Sequence, residues 1–142
     1  ATLAAIDASI TASERHHRAE IRCAVEAVLS AGHLFRGVPS AVRAAEVFSA
    51  LGVWDTAENN GVLLYVLLAE RKIEIVADRG FGDRVTATEW DGICAEMEVA
   101  FGAGRYEAGA LAALDRISAI ARQHFPALGD DRNELPDRTV LL

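Results

Sequence analysis

Seven consecutive apolar residues at positions 62–68 (VLLYVLL) constrain the fold of this chain more than any other feature. The run is too short to span a bilayer, and it has no polar face, so it predicts a β-strand that is covered on both sides. Strands of this kind lie at the centre of α/β layers, with helices packed on either face. We therefore expect residues 62–68 to form the central strand of an α/β domain.

Two alternating segments flank this strand and supply its partners. Residues 20–26 alternate apolar and polar side chains, and residues 72–77 do the same after the short polar break at 69–71. The break has the length of a β-hairpin turn, so the strand at 72–77 should run antiparallel to the central strand. The chain between residues 26 and 62 is long enough for a crossover helix, which makes the first two strands parallel.

Apolar residues at helical spacing predict four helices around these strands. The first covers the amino terminus, and the second begins at a capping Ser40 and ends at Gly52. Thr88 and Asp91 resemble a capping box at the start of the third helix. The fourth helix ends before Pro126, which cannot continue it.

The order helix, strand, helix, strand, strand, helix, helix predicts an α/β fold of the helix-sheet-helix sandwich type. Glycines and a proline at residues 32–39 indicate a loop after the first strand. A chain of 142 residues, 51% of them hydrophobic, has the size of one domain, which we place at residues 1–128. Residues 129–142 are expected to form a polar tail without a defined element, whose apolar last residues can dock.

The charge and the cysteines exclude several classes of function. A net charge of −7, from 14 basic and 21 acidic residues, argues against nucleic acid as a partner and favours cations. Cys23 and Cys94 are too far apart for a Cys-x-x-Cys site and are expected to be free core residues. No apolar run approaches the roughly 18 residues that span a bilayer. We expect a soluble chain without a transmembrane segment; its compartment and any leader or anchor before Ala1 stay open.

The predicted hairpin brings two polar loops, 55–61 and 78–83, to the same edge of the sheet. These loops and the next helix carry carboxylates and amides that are separate in sequence: Asp55, Glu58, Asn59, Asn60, Asp78, Asp83 and Glu89. Hard cations such as Ca²⁺ bind about six to eight oxygens from such groups. The sequence therefore predicts a calcium site whose protein ligands are Asp55, Asn60, Asp78 and Glu89.

Ordinary turn formation explains the same residues equally simply. Asn-Gly and Asp-rich segments form turns, and Glu89 with Asp91 complements the dipole of the helix that they begin. The spacing of the EF-hand calcium loop is absent from the sequence. Both explanations stay open at this stage.

Five short motifs recur in the order that one family shows. These are NGVLL at 60–64, RKIEI at 71–75, GFG at 80–82, Thr-Glu at 88–89 and F-x-x-G-x-Y-x-x-G at 101–109. Together they resemble the TPM domain family, which is named for a thylakoid lumen protein, a photosystem II repair protein and a modulator of levamisole receptors. The specificity of the resemblance lies in the order of the motifs, since none of them is rare alone.

The resemblance covers roughly residues 55–112 and implies a three-layer α/β/α sandwich around a mixed sheet of about four strands. It also implies a polar groove between the 55–61 and 78–89 loops, with calcium binding as in some members and phosphatase activity as proposed for the thylakoid branch. Two departures bear on ligand geometry and metal preference. Glu89 stands where the family often has Asp, and residues 53–59 lack the Gly and Lys that are frequent there.

Three functions follow from these observations. The first is a non-catalytic binding or assembly module of the TPM type with a calcium-binding groove. It would act with an unidentified protein partner near a membrane, as the soluble part of a membrane-associated or periplasmic protein. The second is a weak metal-dependent phosphatase that uses the same carboxylates. In the third, the carboxylates only shape turns, and the partner surface lies elsewhere.

The sequence assigns no catalytic residue. Arg is absent from the sixth position after either cysteine, which excludes a cysteine phosphatase loop. No Asp-x-Asp pair follows a strand, so hydrolysis would require a metal-activated water.

Overall fold

A mixed four-stranded sheet forms the middle layer of the protein in the computed structural model, which describes residues 2–128 and 137–142. The strands lie in the order β3-β2-β1-β4, and their bounds are β1 Glu20–Glu26, β2 Gly61–Leu67, β3 Lys72–Ala77 and β4 Val140–Leu141. Strand β1 pairs in parallel with β2 and β4, whereas β3 runs antiparallel to β2. The predicted hairpin and crossover are both confirmed.

Helices cover both faces of this sheet. Their bounds are α1 Thr2–Ser13, α2 Ala31–Arg36, α3 Ser40–Ala50, α4 Ala87–Gly102 and α5 Tyr106–His124, and a short 3-10 helix covers Gly82–Arg84. Helices α1, α4 and α5 pack on one face, and α3 packs on the other. This arrangement confirms the α/β sandwich around a mixed sheet of about four strands.

The apolar run behaves as its composition predicts. Every residue of β2 is buried. Val62, Leu64 and Val66 belong to the core under α1, α4 and α5, whereas Leu63 and Tyr65 belong to the core under α3. The side chains of β2 alternate between two apolar cores, so neither face of the strand meets water. This explains the unbroken apolar run.

Two predicted helix starts are wrong, and one helix was not predicted. Helix α4 begins two residues earlier than expected, because Thr86 and Glu89 form the capping box in place of Thr88 and Asp91. Pro39 occupies the N-cap position of α3, and the Ser40 hydroxyl donates instead to Glu74 Oε1, 2.7 Å away.

The segment predicted as a loop at 32–39 contains the six-residue helix α2. Ser30 caps this helix by accepting from the His33 backbone N–H, and Gly37 ends it with a φ of 65°. The helix is too short to show an apolar period in the sequence, which is why it was missed.

The end of the chain contributes to the sheet. Val140 and Leu141 pair with Ala24 and Val25 of β1, and Asp7 of α1 accepts two hydrogen bonds from the backbone and hydroxyl of the residue before β4, each 2.7 Å long. Residues 129–136 of the predicted tail lie outside the described residues, and the domain limit at residue 128 stays a prediction. None of the helices in the described ranges is long and apolar enough to cross a membrane.

Candidate functional site

Backbone hydrogen bonds hold the two polar loops against each other at one edge of the sheet. The Gly61 carbonyl accepts from the Asp78 N–H at 2.9 Å, and the Asn59 carbonyl accepts from the Gly80 N–H at 2.7 Å. A Cβ atom at Gly80 would lie 2.3 Å from the Asn59 oxygen and 2.4 Å from the Glu58 oxygen. Only glycine allows this approach, so the GFG motif joins the loops as the hairpin argument predicts.

Asn60 is the most deeply buried of the predicted ligands, at 1% exposure. Its backbone N–H donates to Thr56 Oγ1 at 3.0 Å, and its Nδ2 donates to the Arg18 carbonyl at 3.1 Å. The side-chain oxygen Oδ1 is buried as well, and it accepts no hydrogen bond from any residue that the structure describes. One half of the Asn60 amide is therefore fixed while the other half is an unused acceptor.

Asp78 presents a second unused acceptor. Its Oδ1 accepts from the Arg79 N–H at 2.8 Å, whereas its Oδ2 is buried without a hydrogen-bond donor among residues 2–128 and 137–142. Buried oxygens of this kind are uncommon in folded proteins, because each loses its bond to water without a replacement.

The other two predicted ligands are placed differently. Asp55 is exposed in the turn before the loop contact. Glu89 is exposed and accepts from the Thr86 N–H at 3.0 Å as part of the capping box of α4. In the described ranges, no three Asp, Glu, His or Cys side chains form a group that could hold a metal ion, so the three acidic candidates do not make a preformed cluster.

Glu58 serves the loop as a structural residue. Both of its oxygens accept from the Arg18 guanidinium, at 2.9 Å from Nε and 3.0 Å from Nη2. These hydrogen bonds and the positive charge of Arg18 lower the pKa of Glu58. The Arg18 side chain also lies over the Phe125 ring, 5.7 Å from its centroid, and so ties the loop to the end of α5.

Sequence reasoning missed a second carboxylate group at this edge, formed by Glu14, Glu20 and Asp137. The Glu20 backbone N–H donates to the Asn60 carbonyl at 3.3 Å, which places this residue beside the loop contact. Burial raises the pKa of Glu14 far above its usual value, and hydrogen bonds and repulsion from Glu20 and Asp137 raise it further. No sequence signal joins these residues, because strand β4 brings Asp137 to the edge.

The comparisons with known proteins address the resemblance directly. The family description that matches this chain is TPM domain (TPM_phosphatase), over residues 1–120. The chain belongs to the TPM domain family. No curated protein matches it.

Two solved structures are similar to this TPM domain. The BA42 protein of Bizionia argentinensis superposes with a TM-score of 0.86 at 26% sequence identity, over 99% of this chain and 92% of that one. The N-terminal domain of a Porphyromonas gingivalis protein (PgR37A) superposes with a TM-score of 0.67 at 15% identity, over 85% of this chain and 76% of that one. The second likeness concerns the fold alone.

The cysteines of this TPM domain are unsuited to nucleophilic chemistry. Cys23 and Cys94 are free thiols in the core, and burial is the largest cause that raises the pKa of each to about 12. A thiol must ionise to attack, so neither residue is an active nucleophile at neutral pH. This agrees with the absence of a cysteine phosphatase loop in the sequence.

A polar network lies at the other end of the same strands. Glu26, the last residue of β1, accepts from the Tyr65 hydroxyl at 2.6 Å and from Arg43 at 2.9 Å and 3.1 Å. The hydrogen bond from Arg43 is the largest cause that lowers the pKa of Glu26. Arg43 also donates to Glu46 Oε1 at 3.3 Å, and the same oxygen accepts from His33 Nε2 at 2.8 Å.

Proposed function

We propose that this TPM domain is a non-catalytic binding module whose site is the edge where the 55–61 and 78–89 loops meet. The observation that supports this most is the pair of buried acceptors, Asn60 Oδ1 and Asp78 Oδ2, on loops that the backbone holds together. A buried acceptor without a donor costs about 1–3 kcal/mol. A ligand that supplies a donor or a positive charge would recover that free energy, so the site favours cationic ligands.

The ligand with the best chemical match is Ca²⁺. Calcium binds neutral amide oxygens, carboxylates and backbone carbonyls together, and it tolerates irregular geometry. Asn60 and Asp78 offer the first two kinds of oxygen. Asp55 is exposed and could complete the shell after a small movement of its turn, whereas Glu89 would have to leave its capping box.

A small, strongly hydrated ion such as Mg²⁺ is a poorer match. Mg²⁺ requires nearly octahedral geometry and keeps several of its waters, whereas Ca²⁺ accepts larger and less regular shells. The chain carries a net charge of −7, which favours either cation over an anion at long range. The loop contact fixes Asn60 and Asp78, so their oxygens cannot rearrange freely into a regular octahedron. We therefore expect the site to bind Ca²⁺ more tightly than Mg²⁺.

Thermal unfolding with and without divalent ions tests this proposal. A cation that binds only the folded chain raises the unfolding midpoint by mass action. We expect millimolar Ca²⁺ to raise the midpoint of the wild type, EDTA to reverse the effect, and Asp78→Asn to abolish it. Asp91→Asn is the matched control, because it removes one exposed carboxylate from α4. An unchanged wild-type midpoint at millimolar Ca²⁺ would refute calcium binding.

The position of binding needs a second measurement. In a ¹H–¹⁵N NMR titration, Ca²⁺ should shift the backbone signals of residues 55–61 and 78–80 first. Shifts confined to residues around Glu14 and Glu20 would assign the ion to the neighbouring carboxylate group. They would refute a site between the 55–61 and 78–83 loops, which we call the paired loops.

The alternative is a weak metal-dependent phosphatase in the same groove, which the description TPM_phosphatase favours. The buried cysteines leave a metal-activated water as the nucleophile. In this mechanism Asp78 would hold the ion, and Asn60 would orient the water or the phosphate.

Phosphate release from p-nitrophenyl phosphate, with Ca²⁺, Mg²⁺ and Mn²⁺ in turn, separates the two proposals. The binding module predicts equal background rates for the wild type and Asp78→Asn. A wild-type rate that depends on the metal and falls at least about tenfold in Asp78→Asn would establish the phosphatase instead.

The cellular role that we propose is assembly with a protein partner near a membrane, through the protein that carries this domain. The paired loops are exposed around their buried acceptors, so a basic side chain of a partner could bind where the cation does. Competition between Ca²⁺ and a partner for the site would then be measurable as loss of the complex at millimolar Ca²⁺.

A further inference from the structure

A cavity of about 440 Å³ opens at the end of the sheet opposite the paired loops. It lies between the sheet and the helices α1, α4 and α5. Its inner walls are buried residues from all of these elements: Ile6, Cys23, Val66, Met97, Phe101 and Ala110. The volume falls within the range of about 300–1,000 Å³ that small-molecule pockets have.

The inner walls accept only an apolar group. Aliphatic, aromatic and sulfur-containing side chains form them, and burial keeps the Cys23 thiol neutral because its pKa is raised to about 12. A polar group inside the cavity would lose its water without gaining a hydrogen bond from these side chains. The part of a ligand that enters is therefore a hydrocarbon.

The rim of the cavity is amphipathic. Leu3, Leu68 and Tyr106 line it and are 37%, 43% and 54% exposed. The Tyr106 ring packs edge-on against Phe101 with 5.1 Å between the ring centroids, so the rim is continuous with the inner wall. Exposed apolar side chains around a cavity mouth are typical of sites that take up apolar ligands.

Arg71 is the charged side chain among the described residues that line this rim. It lies in the hairpin turn between β2 and β3, where its backbone N–H donates to the Leu68 carbonyl at 3.1 Å. Its φ of 51° is a conformation that favours glycine and strains other residues. An arginine is thus present at a position where local structure alone would favour glycine.

The guanidinium of Arg71 makes no ion pair or hydrogen bond with any residue in the described ranges. The chain has 21 acidic residues against 14 basic ones, so carboxylates are abundant, yet none in those ranges pairs with it. A positive charge beside an apolar cavity complements a ligand that has one anionic end and one hydrocarbon end.

We propose that this cavity binds a single-chain amphiphile with a carboxylate head, whose hydrocarbon chain lies between the sheet and the helices while its head contacts Arg71. The site is independent of the paired loops, because the two lie at opposite ends of β2. A medium-chain fatty acid has the required chemistry. Failure of this proposal would leave the calcium proposal untouched, and the reverse is also true.

A titration with three ten-carbon amphiphiles tests the proposal, each kept below its micelle-forming concentration. The ligands are decanoate, decanol and decyltrimethylammonium, followed by ¹H–¹⁵N NMR on the whole chain. We expect saturable binding in the order decanoate, decanol, decyltrimethylammonium, with shifts at Leu3, Val66 and Ala110. Binding of the cation as tight as that of decanoate would overturn the proposal, and so would shifts centred on the exposed Phe35.

Substitutions at Arg71 test the role of its charge. Arg71→Gln should weaken decanoate binding about two- to fivefold, as expected for an exposed ion pair, and should leave decanol binding unchanged. Arg122→Gln removes the same charge from the last turn of α5 and should have no effect on either ligand. Arg71→Gly should weaken decanoate binding equally while the unfolding midpoint stays the same or rises, because glycine relieves the backbone strain.

Filling the cavity tests its position. Ala110→Leu should abolish saturable binding of both decanoate and decanol while the NMR spectrum stays dispersed. If Ala110→Leu does not fold, Val25→Leu places the added volume at the half-buried mouth instead and should weaken both ligands. Unchanged decanoate affinity in a folded filling variant would refute the site.

Discussion

Glu26 and Asp78 are carboxylates at opposite ends of the sheet, and the protein treats them differently. Both oxygens of Glu26 accept hydrogen bonds, from the Tyr65 hydroxyl and from Nε and Nη2 of Arg43. Asp78 has one oxygen bonded to the neighbouring backbone, and its buried Oδ2 has no donor within the described residues. The Glu26 carboxylate has hydrogen-bond donors for both of its oxygens within the fold, whereas Asp78 Oδ2 is an acceptor that a ligand can still use.

This difference separates residues that hold the fold from residues that can bind. Removing a donor from Glu26 would leave a buried charge unpaired, which is costly. Removing the Asp78 charge would relieve an existing cost, so its stability effect should be small and its binding effect large. The following predictions test this contrast, beginning with the largest expected change.

Arg43→Ala should destabilise the fold most, by about 3 kcal/mol, because it leaves the Glu26 carboxylate with Tyr65 as its remaining donor in a largely buried setting. Urea unfolding at pH 7 measures the change. Arg122→Ala is the matched control and should stay within about 0.5 kcal/mol of the wild type. An Arg43→Ala effect below about 1 kcal/mol would mean that the network is not a structural element.

The pH dependence of that network has a definite sign. Arg43 lowers the pKa of Glu26 in the folded state, so this stability is present above the unfolded pKa and is lost as the pH falls through the folded value. Arg43→Ala should therefore lose part of the acid sensitivity of the wild type below about pH 4.5. Parallel stability curves for the two proteins in this range would contradict the assignment.

Gly80→Ala should destabilise the protein by about 2 kcal/mol, because its Cβ would collide with the Asn59 and Glu58 carbonyl oxygens and push the loops apart. It should also abolish the response to Ca²⁺. Gly92→Ala is the control of opposite sign: a methyl group there would meet no described atom within 4 Å outside its own helix. This substitution should stabilise α4 by up to about 1 kcal/mol, and both changes can be read from urea unfolding.

Glu14→Gln should stabilise the protein at neutral pH by about 1–2 kcal/mol. The pKa of Glu14 is raised on folding, so its contribution is fully present below the unfolded pKa and is lost progressively as the pH rises from there through the folded value. Glutamine does not ionise and escapes that loss. The gain should therefore disappear near pH 4, and a gain that grows on acidification would contradict the raised pKa.

Glu58→Gln should have the smallest effect, about 0.5 kcal/mol, because the ion pair with Arg18 is partly exposed and water screens it. The loss should shrink further in about 1 M salt. Chemical unfolding at two salt concentrations measures it. A loss above about 2 kcal/mol would show that Glu58 stabilises the fold as strongly as Glu26 does.

The parts of the fold that the sequence predicted are those that rest on local patterns. The unbroken apolar run at 62–68 is typical of a strand that lies between two cores. The alternating segment at 72–77 follows it after a short break, which predicts that the two pair as a hairpin. The juxtaposition of the two loops then follows from the hairpin, and Gly80 makes the contact close. These steps use residues that are near one another in sequence.

The parts that the sequence did not predict depend on distant partners. The Glu14, Glu20 and Asp137 group exists because β4 pairs with β1, and two residues of strand give too little pattern to predict that pairing. The capping box is formed by Thr86 and Glu89, directly after Val85, which is buried in the core. The Asn60 amide is held by the Arg18 carbonyl, 42 positions earlier in the chain, and no local pattern predicts that contact.

Strand β4 sets the order in which this sheet can be completed during synthesis. Residues 24 and 25 are made early, yet their outer neighbours at 140 and 141 are made only after strands β2 and β3. Strands β1, β2 and β3 can pair before that, and closing so long a loop costs entropy that a two-residue strand recovers poorly by itself. Asp7 accepts two hydrogen bonds from the residue next to β4, so helix α1 supplies a contact that stabilises this short strand beside β1.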